Sequence, residues 1–179
     1  MKALVDHFRT MARNNLWSNH RLQTACAQLP TPEYFRDRGA FFGSIHATLN
    51  HILAIDHYYI AAVTSEAAGG RHAPPTFPDL RQLSDAQRAS DQLLVQLCDA
   101  VSDESLATVV RWIGADGKEW TDSIDIVLSH LFLHQIHHRG QVHNMLSVAG
   151  LKAPQLDEFL LSNDAPLREA EVRELSLGR

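Results

Sequence analysis

The sequence predicts an all-α protein: a four-helix bundle with a small β-hairpin before its fourth helix and short helices at its C-terminal end. Three observations predict it. Long stretches place apolar residues at helical spacing, the breaks between them fall at Pro and Gly clusters, and only residues 109–120 have the texture of strands. The chain of 179 residues suits one domain, residues 1–179, large enough to bury a core without staples. Hydrophobic residues at 45% and charged residues at 21% exclude the disordered and fibrous classes.

The first helix is expected from Ala3 to Leu29, with Leu4, Phe8, Met11, Ala12, Leu16, Leu22, Cys26 and Leu29 on its buried stripe. Pro30 and Pro32 end it, since proline cannot continue a helix. Trp17 projects off this stripe, toward ordinary packing or a dimer face. The second helix covers Ser44 to Thr64 on a stripe of Phe41, Ile45, Ile52, Ile55 and Tyr59. Gly69, Gly70, Pro74, Pro75 and Pro78 make an ordinary connecting loop. Ser84 is the expected N-cap of a third helix to about Val101, with Leu83, Leu93, Leu94 and Leu97 as its buried face.

Val109, Val110, Trp112 and Ile113, then Asp116-Gly117 and Trp120, predict a hairpin turning on the Asp-Gly pair. Thr121 or Asp122 caps the long fourth helix, which ends at Gly150 as its C′ residue. Beyond Pro154, short helices are expected over Leu156–Leu161 and Ala165–Leu175.

A net charge of -5, with 16 basic residues scattered among 21 acidic ones, excludes nucleic acid as a partner. No stretch reaches the ~20 apolar residues of a membrane span, and Asp6, His7 and Arg9 interrupt any secretory signal. A cytoplasmic protein without a membrane partner is the expectation. Cys26 and Cys98 stand apart in helical text and read as small core residues.

Eleven histidines are the unusual count, and five of them crowd the fourth helix. At about 100° per residue, Ile124, Val127, Leu128, Leu131, Val142, Met145 and Leu146 set that helix's core stripe. His138 falls inside the stripe and His134 on its shoulder, one turn away. On the second helix the same projection puts His51 at the stripe's edge. Two imidazoles at i and i+4 can chelate one ion, and a third from a facing helix completes a three-histidine site. Separate burial of three unpartnered rings would cost about 1–3 kcal/mol each. His46, His57, His137 and His143 project away and are expected in solvent, with a hydrogen-bonding role beside the site open to His137.

Other metal chemistries fail on the same text. Gln135 stands where H-E-x-x-H needs its Glu, and no Glu here has a His three residues on, as di-iron bundles require. Axial haem ligation suits an i,i+4 pair poorly.

Gly43-Ser-Ile-His-Ala-Thr-Leu-Asn-His51-Ile-Leu-Ala-Ile-Asp56 resembles the second-helix signature of the DinB family, also called DinB/YfiT-like metalloenzymes. His134-Gln-Ile-His137-His138-Arg139-Gly140-Gln141 resembles its fourth-helix signature H-x-x-x-H-R-G-Q, and the first helix, with Asn15, Trp17 and Asn19, is also similar. The resemblance implies an up-down-down-up bundle, usually a homodimer, whose metal ligands map onto His51, His134 and His138. Some family members are transferases or isomerases using mycothiol or bacillithiol, and the family's name reflects damage-inducible, stress-related expression of one bacterial member.

Three neutral ligands leave a coordination position open and the ion's charge uncompensated, which favours a thiolate or hydroxide. The expected function is therefore a metal-dependent thiol transferase or hydrolase that activates a small thiol or water against a small electrophile. The alternative is a non-catalytic metal-binding or stress-related interaction protein. Imidazole ligands suit zinc or nickel first, then iron or copper. Asn19, His137, Arg139 and Gln141 are the candidates for contacts around the ligands or to substrate; for Arg139 a helix end or surface carboxylate is the plainer expectation.

Overall fold

The structure is a computed structural model describing residues 2–64, 75–114 and 116–177. Its long helices form where the apolar spacing predicts them: α1 (Lys2–Cys26), α3 (Ile45–Val63), α4 (Leu80–Ala100) and α6 (Ile124–Val148). Around the bundle α1 packs on α4 and α6, and α3 packs on α6 and α4, so α1 and α3 sit across a diagonal. Among the described residues, two of three apolar clusters fill the ends of the bundle. One, at the hairpin end, centres on Phe8, Leu94, Leu128 and Leu131; the other, at the opposite end, on Leu22, Ile45, Ile52, Leu83 and Leu146.

The helix ends follow local chemistry. The Ser44 hydroxyl accepts from the Ala47 amide at 3.1 Å and starts α3. At the far end of α6, Gly150 (φ +83°) takes the left-handed turn, with Leu151 N–H donating to the Leu146 carbonyl and Gly150 N–H to Ser147. The hairpin also forms, β1 (Val109–Ile113) against β2 (Glu119–Ser123), pairing Trp112 with Trp120.

Several boundaries differ from expectation, each for a physical reason. Pro30 and Pro32 close α1 and also open a short α2 (Thr31–Phe35), because a proline near a first turn sacrifices no helical hydrogen bond. Asp79, not Ser84, caps α4, more than a turn earlier: its carboxylate accepts from the Gln82 amide at 2.8 Å. Leu83 is therefore inside α4 and fully buried, whereas Leu93 faces solvent. Phe41 precedes α3 and is 84% exposed. Thr121 and Asp122 lie in β2, so α6 begins only after Ser123. A four-residue α5 (Asp103–Leu106) precedes the hairpin. No helix forms over Leu156–Leu161; a 3-10 turn (Ser162–Asp164) leads into α7 (Ala165–Glu174). Gly69, Gly70, Pro74 and Ala115 lie outside the described residues.

The C-terminal segment is clasped to α1. Trp17, completely buried, donates from Nε1 to Glu171 at 2.7 Å, and the Arg21 guanidinium lies 4.2 Å over its ring while bonding Glu158 and Glu171. Leu177 packs beside it, delivered by Ser176 in a left-handed turn (φ 54°). Trp17 thus faces its own chain. Cys26 and Cys98 are free and buried, as expected of core residues.

Candidate metal centre

α3 and α6 pack face to face and present His51, His134 and His138 to one another. A ligand nitrogen from each ring lies within 4.8 Å of those from the other two. The Nε2 atoms of His51 and His134 stand 3.0 Å apart. Two imidazole nitrogens bound to one ion at about 2.0–2.1 Å would stand about 2.9–3.4 Å apart, so the spacing fits shared ligation.

The other ring atoms agree. Nδ1 of His138 pairs with Gln141 Oε1 at 2.8 Å. Since the amide oxygen only accepts, Nδ1 carries the proton and Nε2 keeps its lone pair. Nδ1 of His134 is sealed from solvent without a partner among the described residues, so that ring's polar bonding rests on Nε2. Burial, aided by the neighbouring rings, pulls His51 down to about 4 and His134 to about 3. His138 is lowered as well, chiefly by burial. All three rings are neutral at pH 7, the form that ligates a cation. Among the described residues no carboxylate joins the set. The donor set fits a borderline metal ion, and the residues present could hold one.

Phe42 was not among the sequence candidates. Gly43, at φ +77°, closes a tight turn with Ala40 and lays Phe42 over His51, ring centroids 4.0 Å apart and 5.4 Å from His138. This ring covers one side of the cluster with an apolar face.

The remaining candidates separate into two groups. Gln141 pins His138 and donates from Nε2 to His137 Nε2 at 3.2 Å, so His137, though exposed, is tied to the cluster through Gln141. Asn19 and Arg139 bond to none of the three histidines. Both are buried in a polar network at the bundle's centre, and Arg139 is not at the surface as expected. Arg139 Nη1 donates to Asn15, to Asn19 at 3.1 Å and to Gln135 at 3.3 Å. Gln135 donates to Asp56, and Gln87 donates to Asp56 at 2.7 Å and to Asp91 at 3.1 Å. Asn15 and Asn19 both donate to Asp91 at 3.0 Å. Burial pushes the Asp56 and Asp91 carboxyls up, and for Asp91 the neighbouring Asp56 adds to it; Arg139 opposes both shifts.

The network bears on the cluster through position in sequence. Gln135 follows His134 and Arg139 follows His138, so each ligand-bearing turn of α6 is anchored inward by its next residue. Asp56, on the helix of His51, accepts from Gln135 and so fixes α3 against α6. A signal for it existed: Asp56 and Asp91 occupy apolar-stripe positions, Asp56 one turn from Ile52 and Asp91 between Gln87 and Leu94. A buried acid there requires partners. His46 likewise departs from expectation, half-buried against the Tyr34 and Phe35 rings.

Comparison with known proteins agrees with this architecture. The DinB family profile matches residues 1–171. The uncharacterized protein YizA of Bacillus subtilis strain 168 is 28% identical over 122 residues, covering 66% of this chain and 73% of YizA. A crystal structure of a DinB-like protein from Bacillus cereus ATCC 10987 superposes with a TM-score of 0.60 at 20% identity, over 78% of this chain and 90% of that one, and shows the same fold. With the family profile spanning almost its whole length, the chain belongs to the DinB family.

Proposed function

We propose that the protein is a metal-dependent enzyme holding one divalent ion between His51, His134 and His138. The convergence of three neutral imidazoles within 4.8 Å carries this reading. A divalent ion bound there would supply Lewis acidity, lowering the pKa of a small thiol or water brought to it. The chain's own residues do the rest. Gln141 fixes the His138 tautomer, and Phe42 excludes water from one side of the site. Asp56, Gln135 and Arg139 hold α3 and α6 in register. Zinc or nickel suits the ligands best, with iron or copper next. The reaction class is thiol transfer to, or hydrolysis of, a small electrophile, as the family resemblance implies.

Self-association as a homodimer belongs to the same proposal, supported by exposed Ile126, Leu133 and Val148 on α6. No helix among the described residues is long and apolar enough to cross a membrane. The experiment is elemental analysis of wild type and His138→Ala, followed by a screen of low-molecular-weight thiols against model electrophiles. Metal in the wild type alone, with thiol turnover that needs it, supports the enzyme. A stoichiometric ion without turnover of any thiol or ester favours the non-catalytic alternative.

A further inference from the structure

A cavity of about 440 Å³ lies between α1, α6 and the C-terminal segment, within the range of small-molecule sites. It opens on the α1 side of α6, lined by Met11, Ile136, Leu156 and Phe159, together with Arg139 and Gly140. None of the three clustered histidines lines it.

Two of these residues have a feature that the chain's own contacts leave unused. Gly140 sits in the middle of a 25-residue helix, where glycine costs about 1 kcal/mol relative to alanine. Its backbone is helical, so no left-handed turn requires it, and a Cβ there would meet nothing within 4 Å. Gly140 lines the cavity, so its missing side chain leaves that wall open. Arg139 is 4% exposed, and all its hydrogen bonds to described residues leave from Nη1. Nε and Nη2 have no partner among the described residues, yet neither is among the sealed, unpaired polar atoms of the interior. Arg139 lines the cavity, and this edge is the part of its guanidinium that makes no hydrogen bond to described residues.

We propose that this cavity is a binding site for a small monocarboxylate with an apolar body, its carboxylate on the Nε/Nη2 edge of Arg139 and its body over Gly140 against Met11, Leu156 and Phe159. A planar guanidinium edge matches a carboxylate with two parallel hydrogen bonds. The apolar walls select against hydrated inorganic anions, and Asp157 at the rim repels multiply charged ones. The site is lined by none of the three clustered histidines, though Arg139 follows His138 on α6.

The test is calorimetric titration of the full chain with octanoate, 1-octanol and inorganic phosphate, each with and without EDTA, so that a carboxylate taken up by a metal is told apart. Gly140→Phe fills the cavity from an unstrained helical position, and circular dichroism checks that it folds. Octanoate is expected to bind one per chain, at least tenfold tighter than 1-octanol, unaffected by EDTA, and at least tenfold weaker in Gly140→Phe. Equal binding of octanoate and octanol would overturn the role of Arg139. Octanoate binding that EDTA abolishes, or that Gly140→Phe leaves intact, would place the ligand elsewhere and overturn the site. A dimer that Gly140→Phe splits, with no octanoate bound, would make a second copy the occupant and overturn the proposal.

Discussion

Arg139→Met removes the one cation from the buried network while keeping most of the side chain's volume. Asn15, Asn19 and Gln135 lose the donor that serves their oxygens, and the buried Asp56 and Asp91 lose the guanidinium that opposes their raised pKa values. Leaving a buried polar atom unpaired costs about 1–3 kcal/mol, and removing one partner from a buried charge assembly about 3–5 kcal/mol. These effects overlap, so about 4 kcal/mol is a fair expectation for the whole. An unfolding entropy of about 2.1 cal/mol/K per residue over 179 residues gives about 0.4 kcal/mol/K, hence a fall in Tm of about 10 °C. The loss also depends on pH in a definite direction. A carboxyl whose folded pKa lies above its unfolded value binds its proton more tightly when folded. It therefore favours the fold in acid and opposes it as the pH rises through the folded value. Without Arg139 both carboxyls rise further, so the deficit relative to wild type is larger at pH 8.5 than at pH 5. Thermal melts of both proteins at the two pH values read this directly. A Tm within about 3 °C of wild type, or a deficit that grows in acid, would refute the network's role.

Three other substitutions separate the site from its scaffold. Gln141→Leu frees His138 Nδ1 and should weaken zinc binding about 10–100-fold while leaving Tm nearly unchanged; competition with a chromogenic chelator measures it, and unchanged affinity refutes the pin. Ser176→Gly relieves a left-handed serine and should stabilise the fold by about 1 kcal/mol, seen as a higher urea midpoint; a lower midpoint contradicts the turn. Burial holds His134 near 3, well below an unfolded value of about 6.5, so its ring stabilises the metal-free fold above pH 6.5 and that contribution drains away as the pH falls toward 3. With EDTA present, the stability drop from pH 7 to pH 5 should be larger in wild type than in His134→Gln; equal drops would contradict a neutral, desolvated ring.

The sequence carried the bundle because its signals are local and periodic: the stripes on α1 and α6, the prolines after α1, the Asp-Gly turn of the hairpin and Gly150 beyond α6 all act within a turn or two. The three clustered histidines were legible for the same reason, since i,i+4 spacing and helix projection decide which face a ring takes. What escaped depends on partners far away in the chain. Arg139 looks like a surface cation until Asn15 and Asn19 are brought to it from 124 and 120 residues away. Phe42 precedes its helix, so no periodicity places it, and only the turn at Gly43 lays it over His51. The start of α4 was misplaced because Ser84 and Asp79 are both able caps, and the choice rests on whether Leu83 can reach the core. The C-terminal clasp depends on Trp17 and Arg21 meeting Glu171 about 150 residues on, which no local pattern records.

The central claim is that His51, His134 and His138 hold one ion, and metal content per chain tests it most directly. Untagged wild type and His138→Ala would be analysed by plasma mass spectrometry, as purified and after incubation with zinc or nickel followed by desalting. The account predicts about one ion per wild-type chain and substantial loss in His138→Ala, with both proteins folded. No metal in either, even after loading, or equal metal in both, would contradict it and leave the inward histidines as packing within the bundle.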